Sequence, residues 1–122
     1  SALELENHVS FLSNITDEDI KNLYQKAAAL IYPSKYEGFG LPITEAQSLG
    51  CPVITSDVSS MPEVAGGGAI LVDPYSINHI TEAMHKALIN KNRLIEAGLD
   101  NVKRFCWRNC AQQTIETYEK LM

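Results

Sequence analysis

Residues 28–56 read AALIYPSKYEGFGLPITEAQSLGCPVITS, two apolar runs joined by a helical stretch. AALIYP (28–33) is apolar throughout, as a strand of a buried parallel sheet must be, and Pro33 stops it. PITEAQSL reads as a short helix, with Pro42 in its first turn and Gly50 at its end. CPVITS (51–56) is another buried strand. Strands separated by helices imply parallel pairing through right-handed crossovers. The junction EGFGLPITE (37–45) sets two glycines, an aromatic and a proline between two carboxylates. In such sheets ligands lie outside the carboxyl ends of the strands, which is where this junction falls.

The pattern extends in both directions. HVSFL (8–12) has β-branched and aromatic character and reads as a first strand. Thr16 can cap a helix whose first turn holds Asp17, Glu18 and Asp19 against the positive end of the dipole. Ile20, Leu23, Tyr24 and Ala27 follow at helical spacing. SSMPEVAGGG (59–68) reads as a turn, a single helical turn capped by Ser60, and a flexible glycine exit. AILVDP (69–74) is a fourth strand. Ser76 caps a longer helix with Ile77, Ile80, Met84, Ala87 and Leu88 on one face. Helices are predicted at 92–104 and 108–121, with Trp107, Cys110, Thr114, Tyr118 and Leu121 along the last stripe. The fold class expected is α/β, a Rossmann-like parallel sheet with helices on both faces.

The 122 residues suffice for one domain, 1–122. Fifteen acidic residues against ten basic ones give a net charge of −5, and no cluster of Lys and Arg could track a nucleic acid. The longest apolar run, AAALIY, falls far short of the roughly 18 residues of a membrane span. SALELENH has neither the basic nor the apolar segment of a signal peptide. Cys51, Cys106 and Cys110 include no C-x-x-C arrangement; they read as free thiols of a reducing cytoplasm, Cys106 and Cys110 as a packing pair.

Gly38 and Gly40 remove the Cβ atoms that would hold a ligand away from the backbone. Their amides, with the free N–H groups of the helix starting near Leu41, suit an anion, above all phosphate. Glu37 and Glu45 are repelled by phosphate, so they suit hydroxyl-rich neighbours, a sugar ring on one side and a ribose on the other. A nucleotide-diphosphate sugar has that composition. The spacing by itself is weak, because Glu45 on a solvated helix face and two turn glycines would look the same. The whole order of strand, Pro-Ser, E-G-F-G-L-P, helix with a second Glu, and G-C-P-V-I-T-S carries the reading.

That order resembles the C-terminal, donor-binding domain of the retaining family-4 (group 1) glycosyltransferases, whose GT-B fold has two Rossmann-like domains. The match runs from VSFLSNITDEDIKNLYQKAAALIYPSKYEGFGLPITEAQSLGCPVITSDVSSMPEVAGGGAILVDP to the closing-helix stretch RFCWRNCAQQTIETYEKL. Glu37 and Glu45 match the family's E-x7-E pair. The resemblance implies that Glu37 contacts hydroxyls of the transferred sugar in a catalytic role and that Glu45 binds the ribose. It implies that Gly38, Phe39, Gly40 and Leu41 bring backbone to the diphosphate. No metal and no cofactor are implied, the nucleotide sugar being a substrate.

The resemblance further implies that two strand–helix units precede this segment, the first bringing an Arg and a Lys to the diphosphate. An N-terminal domain holding a glycan or lipid-linked acceptor is implied as well. The chain is therefore expected to be a partial C-terminal domain, weak in donor binding and inactive alone. Its sheet is expected to rearrange, to be completed by a partner, or to keep an open edge prone to self-association. Cytoplasmic location is expected, with the whole protein peripheral to the inner face of a membrane. Two other readings stay open: a non-catalytic binding or assembly module of this fold, and a nucleotide-sugar 2-epimerase.

Other signals carry less. The D-x-D at Asp17–Asp19 opens a helix and reads as dipole chemistry. His79 and His85 face different sides of one helix, and GGG (66–68) has no helix directly after it, against a dinucleotide fingerprint. Glu63 reads as a turn or packing residue, and Lys35 is the only cation near the junction in sequence.

Overall fold

A computed structural model of the chain describes residues 4–105 and 107–121. Three parallel strands, β1 (Leu30–Tyr32), β2 (Val53–Ser56) and β3 (Ala69–Val72), form one sheet in that order. Leu30, Val53 and Ala69 stand in register, as do Ile31, Ile54 and Ile70. The described residues also form six helices: α1 (Asp17–Lys26), α2 (Leu41–Ser48), α3 (Met61–Ala65), α4 (Ile77–Ile89), α5 (Lys91–Val102) and α6 (Trp107–Leu121).

Side chains alternate across the strands and build a core on each face. On one face Val53 packs with Ile43 and Ala46 of α2 and with Met61, Val64 and Ala65 of α3. On the other, Ile54 and Val72 pack with Ala83 and Ala87 of α4 and with Leu94 of α5. β2 is the middle strand and is buried at all four positions. The parallel α/β arrangement with helices on both faces is thus present. At β1 the cover is incomplete, because Ile31, on the α4 side, remains 39% exposed.

Several helix ends obey their local chemistry. Thr16 accepts from the Asp19 N–H while the Asp19 carboxylate accepts from the Thr16 N–H, a reciprocal capping box. The Ser76 hydroxyl accepts from the His79 N–H and starts α4. Gly50 ends α2 with φ +75°, a conformation that favours glycine.

Other expectations are corrected. Residues 8–12 form no strand; they are exposed, Phe11 at 96%. A strand needs a neighbour to take its backbone hydrogen bonds, and β1 pairs only with β2. Of the stripe expected on α4, Ala87 is buried and Ile80 partly buried, whereas Ile77, Met84 and Leu88 are exposed and Ala83 joins the core in their place. Ser60 precedes α3 without a side-chain cap bond, its hydroxyl being engaged elsewhere.

The glycine exit is packed, not loose. A Cβ on Gly68 would lie 2.6 Å from the Cα of Gly98 in α5, and one on Gly66 would meet the Asn101 amide at 2.2 Å. Glycine lets α5 approach the backbone here, and Gln47 and Asn101 fill the remaining space with a buried amide–amide hydrogen bond of 2.8 Å. Residues 108–121 of α6 are exposed, including Cys110, Thr114, Tyr118 and Leu121 of the expected stripe. The expected pairing of Cys106 with Cys110 lies outside the described residues, as does the Trp107 side chain.

Candidate functional site at the carboxyl end of the sheet

The carboxyl ends of β1 and β2 are tied together by side chains. The Thr55 hydroxyl donates to the Tyr32 carbonyl at 2.8 Å, and Ser56 donates to the Ser34 carbonyl. The chain then runs through residues 35–40 into α2. Gly40 turns it with φ +86°, and a Cβ there would press on Ile43 at 3.2 Å. α2 consequently begins with no side-chain cap and with Pro42 in its first turn. Ile43 N–H bonds back to the Gly40 carbonyl at 3.0 Å. The N–H groups of Gly38, Phe39, Gly40 and Leu41 donate to no other described residue. Four successive amides at a helix start are thereby left for solvent or an anion.

Glu37 sits beside them, half-buried and held at both ends. One carboxylate oxygen accepts from the Tyr32 phenol at 2.6 Å and from the Ser34 hydroxyl at 3.1 Å. Its main chain is held by the β2–α3 turn. Ser60 and Ser59 donate to the Glu37 carbonyl at 2.8 and 3.1 Å, and the Glu37 N–H donates to the Ser59 hydroxyl at 3.3 Å. Ser59 holds this position with φ +59°, a left-handed conformation disfavoured for a residue with a Cβ. The hydrogen bond to Glu37 raises the Tyr32 phenol to about 12, burial adding to it.

Glu45 stands one turn into α2, exposed, on the side of α1. There its charge, after burial, helps to raise the Tyr24 phenol. Glu37 is thus tied to the β2–α3 turn, while Glu45 carries its charge near Tyr24 of α1. Phe39 turns to the protein, its ring edge-on to Phe105 with centroids 5.3 Å apart. Leu41 is 61% exposed. The Lys35 ammonium lies 4.5 Å from the Tyr75 ring centre.

Sequence reasoning passed over Tyr32, Ser34, Ser59, Ser60 and Arg104. Tyr32 was absorbed into an apolar run, although a phenol at a strand's carboxyl end is a usable signal. Ser34 lies three residues from Glu37, whereas Ser59 and Ser60 reach it, and Arg104 reaches α3, only through tertiary folding. Among the described residues no cluster of His, Cys, Asp or Glu could hold a metal ion. No helix among them is long and apolar enough to cross a membrane.

A parallel α/β sheet with an amide-lined loop at its carboxyl end defines a Rossmann-like ligand-binding unit. Residues 1–100 match the family model described as glycosyl transferases group 1. The chain belongs to that family. It is 40% identical over 119 residues to O-antigen chain mannosyltransferase B of Escherichia coli, covering 95% of this chain and 31% of that protein. It is 34% identical to the MMP alpha-(1->4)-mannosyltransferase of Mycolicibacterium hassiacum, covering 97% of this chain and 30% of the other. Sucrose-phosphate synthase from Thermosynechococcus elongatus superposes with a TM-score of 0.79 at 30% identity, over 98% of this chain and 32% of that one. The chain thus spans about a third of the length of these relatives.

Proposed function

We propose that this chain is the donor-binding part of a retaining glycosyltransferase that moves a sugar from a nucleotide-diphosphate sugar to a glycan or lipid-linked acceptor. The observation that carries the reading is Glu37, a carboxylate fixed by Tyr32 and Ser34 next to four unpartnered amides at residues 38–41. The amides receive the diphosphate. Glu37 accepts hydroxyls of the transferred sugar through the carboxylate oxygen that Tyr32 and Ser34 leave open. Glu45 accepts the ribose hydroxyls. As the sugar leaves, negative charge grows on the diphosphate, and oriented N–H groups stabilise it more than they stabilise the ground state. In this reading the donor is a substrate, and neither metal nor cofactor takes part.

Two named relatives are mannosyltransferases, so mannose is the sugar proposed first. The acceptor is proposed to be held by a further domain, consistent with a chain that spans about a third of its relatives. A helix start contributes only about 0.3–1 kcal/mol to an exposed anion, or roughly 2 when partly buried, little against two phosphate charges beside two glutamates. Lys35 stacks its ammonium over the Tyr75 ring. Donor affinity in this chain alone is therefore expected to be weaker than millimolar, with no transfer.

The test is an NMR titration with UDP, GDP, ADP and NAD at several millimolar, with mannose derivatives of the nucleotides that respond. Weak shifts centred on residues 38–45, reduced by Glu45→Gln, are expected from one nucleoside diphosphate. Shifts confined to other surfaces would sink the assignment of the site.

A further inference from the structure

α3 has five residues, so its carbonyls have few partners along the helix, the Gly66 N–H on Pro62 and the Gly68 N–H on Ala65. Side chains from elsewhere supply the rest. Gln47 of α2 donates to the Ala65 carbonyl at 3.0 Å, and Asn101 of α5 donates to the Val64 carbonyl at 2.8 Å. Arg104 completes the set. Its guanidinium donates to the Glu63 carbonyl, to the Asn101 side-chain oxygen at 2.7 Å and, at 3.5 Å, to the Val64 carbonyl.

The opposite end of α3 begins at Ser60, whose hydroxyl holds the Glu37 carbonyl. α3 is therefore a short strut with Arg104 at one end and Glu37 at the other. A second route joins the same two residues. The Arg104 guanidinium lies 4.3 Å from the Phe105 ring centre, and that ring meets Phe39, two residues beyond Glu37. The two routes close a ring of contacts: Glu37, Ser60, α3, Arg104, Phe105, Phe39. Arg104 stands 67 positions from Glu37 in the chain.

We propose that Arg104 is a positioning residue for the Glu37 loop, setting the carboxylate by holding α3 and the Phe105 ring together. Its meaning for sugar transfer rests on the function proposed above for Glu37. The linkage itself is a property of the fold. Arg104 is solvent-exposed, so replacing it opens no cavity. Lysine in its place keeps the charge but has no planar fork to span two carbonyls and a side-chain oxygen.

The experiment is amide hydrogen exchange on the chain and on Arg104→Ala, Arg104→Lys, Ser60→Ala and the Arg104→Ala/Ser60→Ala double variant. Amides of β2 and β3 serve as the reference for global opening. Arg104→Ala is expected to speed exchange at Glu37 about tenfold relative to that reference, the effect of losing one charge-assisted hydrogen bond. Arg104→Lys is expected to fall between Arg104→Ala and the unaltered chain. Ser60→Ala cuts the strut at its other end, so the double variant is expected to exchange far more slowly than the product of the two single effects. Unchanged exchange at Glu37 in Arg104→Ala, or single effects that multiply in the double variant, would overturn the proposal. Equal acceleration of Glu37 and the strand amides in both Arg104 variants would overturn it too. Donor shifts confined to other surfaces, with this exchange pattern intact, would count against the function and leave the linkage standing.

Discussion

A carboxylate presented to a ligand must be held against rotation without losing its ability to accept hydrogen bonds. Glu37 meets both demands, because Tyr32 and Ser34 engage one oxygen and leave the other to the loop side. The Tyr32 phenol shows the strength of that arrangement, pushed up from 10.0 to about 12 chiefly by the bond to Glu37. A folded-state value above the unfolded one means the bond stabilises fully below about pH 10, and that stabilisation is lost as pH rises through about 12. Carbon NMR of the tyrosine ring should accordingly find Tyr32 titrating near 12, and nearer 10 in Glu37→Gln. Urea midpoints of Tyr32→Phe should lose part of their decline above pH 10. A Tyr32 that titrates at the ordinary value in the unaltered chain would mean the bond does not form. At this scale the glutamates and glycines of the loop were legible in the sequence, because few residue types suit an anion cradle flanked by hydroxyl acceptors. Their supports were not, since a serine or a tyrosine declares no partner until the fold supplies one.

Among the elements, two helix starts are legible from local chemistry, whereas the Ser60 cap expected for α3 does not form. Thr16 and Ser76 announce their helices because a cap is satisfied within three residues. HVSFL was misread because strand character in a sequence is only the capacity to pair, and no neighbour pairs with it. The glycines at 66–68 were misread for the opposite reason: lacking a side chain is a sign of mobility or of close contact, and sequence does not say which. Here α5 decides. Gly68→Ala places a methyl 2.6 Å from the backbone of Gly98 and is expected to cost about 1–3 kcal/mol, the range of overpacked cores. Gly67→Ala, with nothing within 4 Å, is the control and should stay within about 0.5 kcal/mol. Urea denaturation of the two variants separates them, and equal stabilities would refute tight packing of α5 on the glycine turn.

On the scale of the whole molecule, the sheet has two margins. β2 is enclosed, whereas the outer edges of β1 and β3 pair with no described residue, and Ile31 and Leu71 are partly bare. Unpaired strand edges recruit other strands. Sedimentation of the chain is expected to show self-association that grows with concentration and is weakened by Ile31→Lys, which puts a charge on the β1 margin. A monomer at all concentrations would show that the edges are protected by other means.

α6 carries a different consequence. With residues 108–121 exposed, almost none of its helical hydrogen bonding is coupled to burial in either core. A helix of 15 residues standing on its own is marginal in water, with nucleation costs that propagation barely offsets. Warming should therefore fray α6 gradually from its carboxyl end, while the sheet and α2 to α5 melt later as one cooperative body. The two parts of one chain thus keep separate thermal lives.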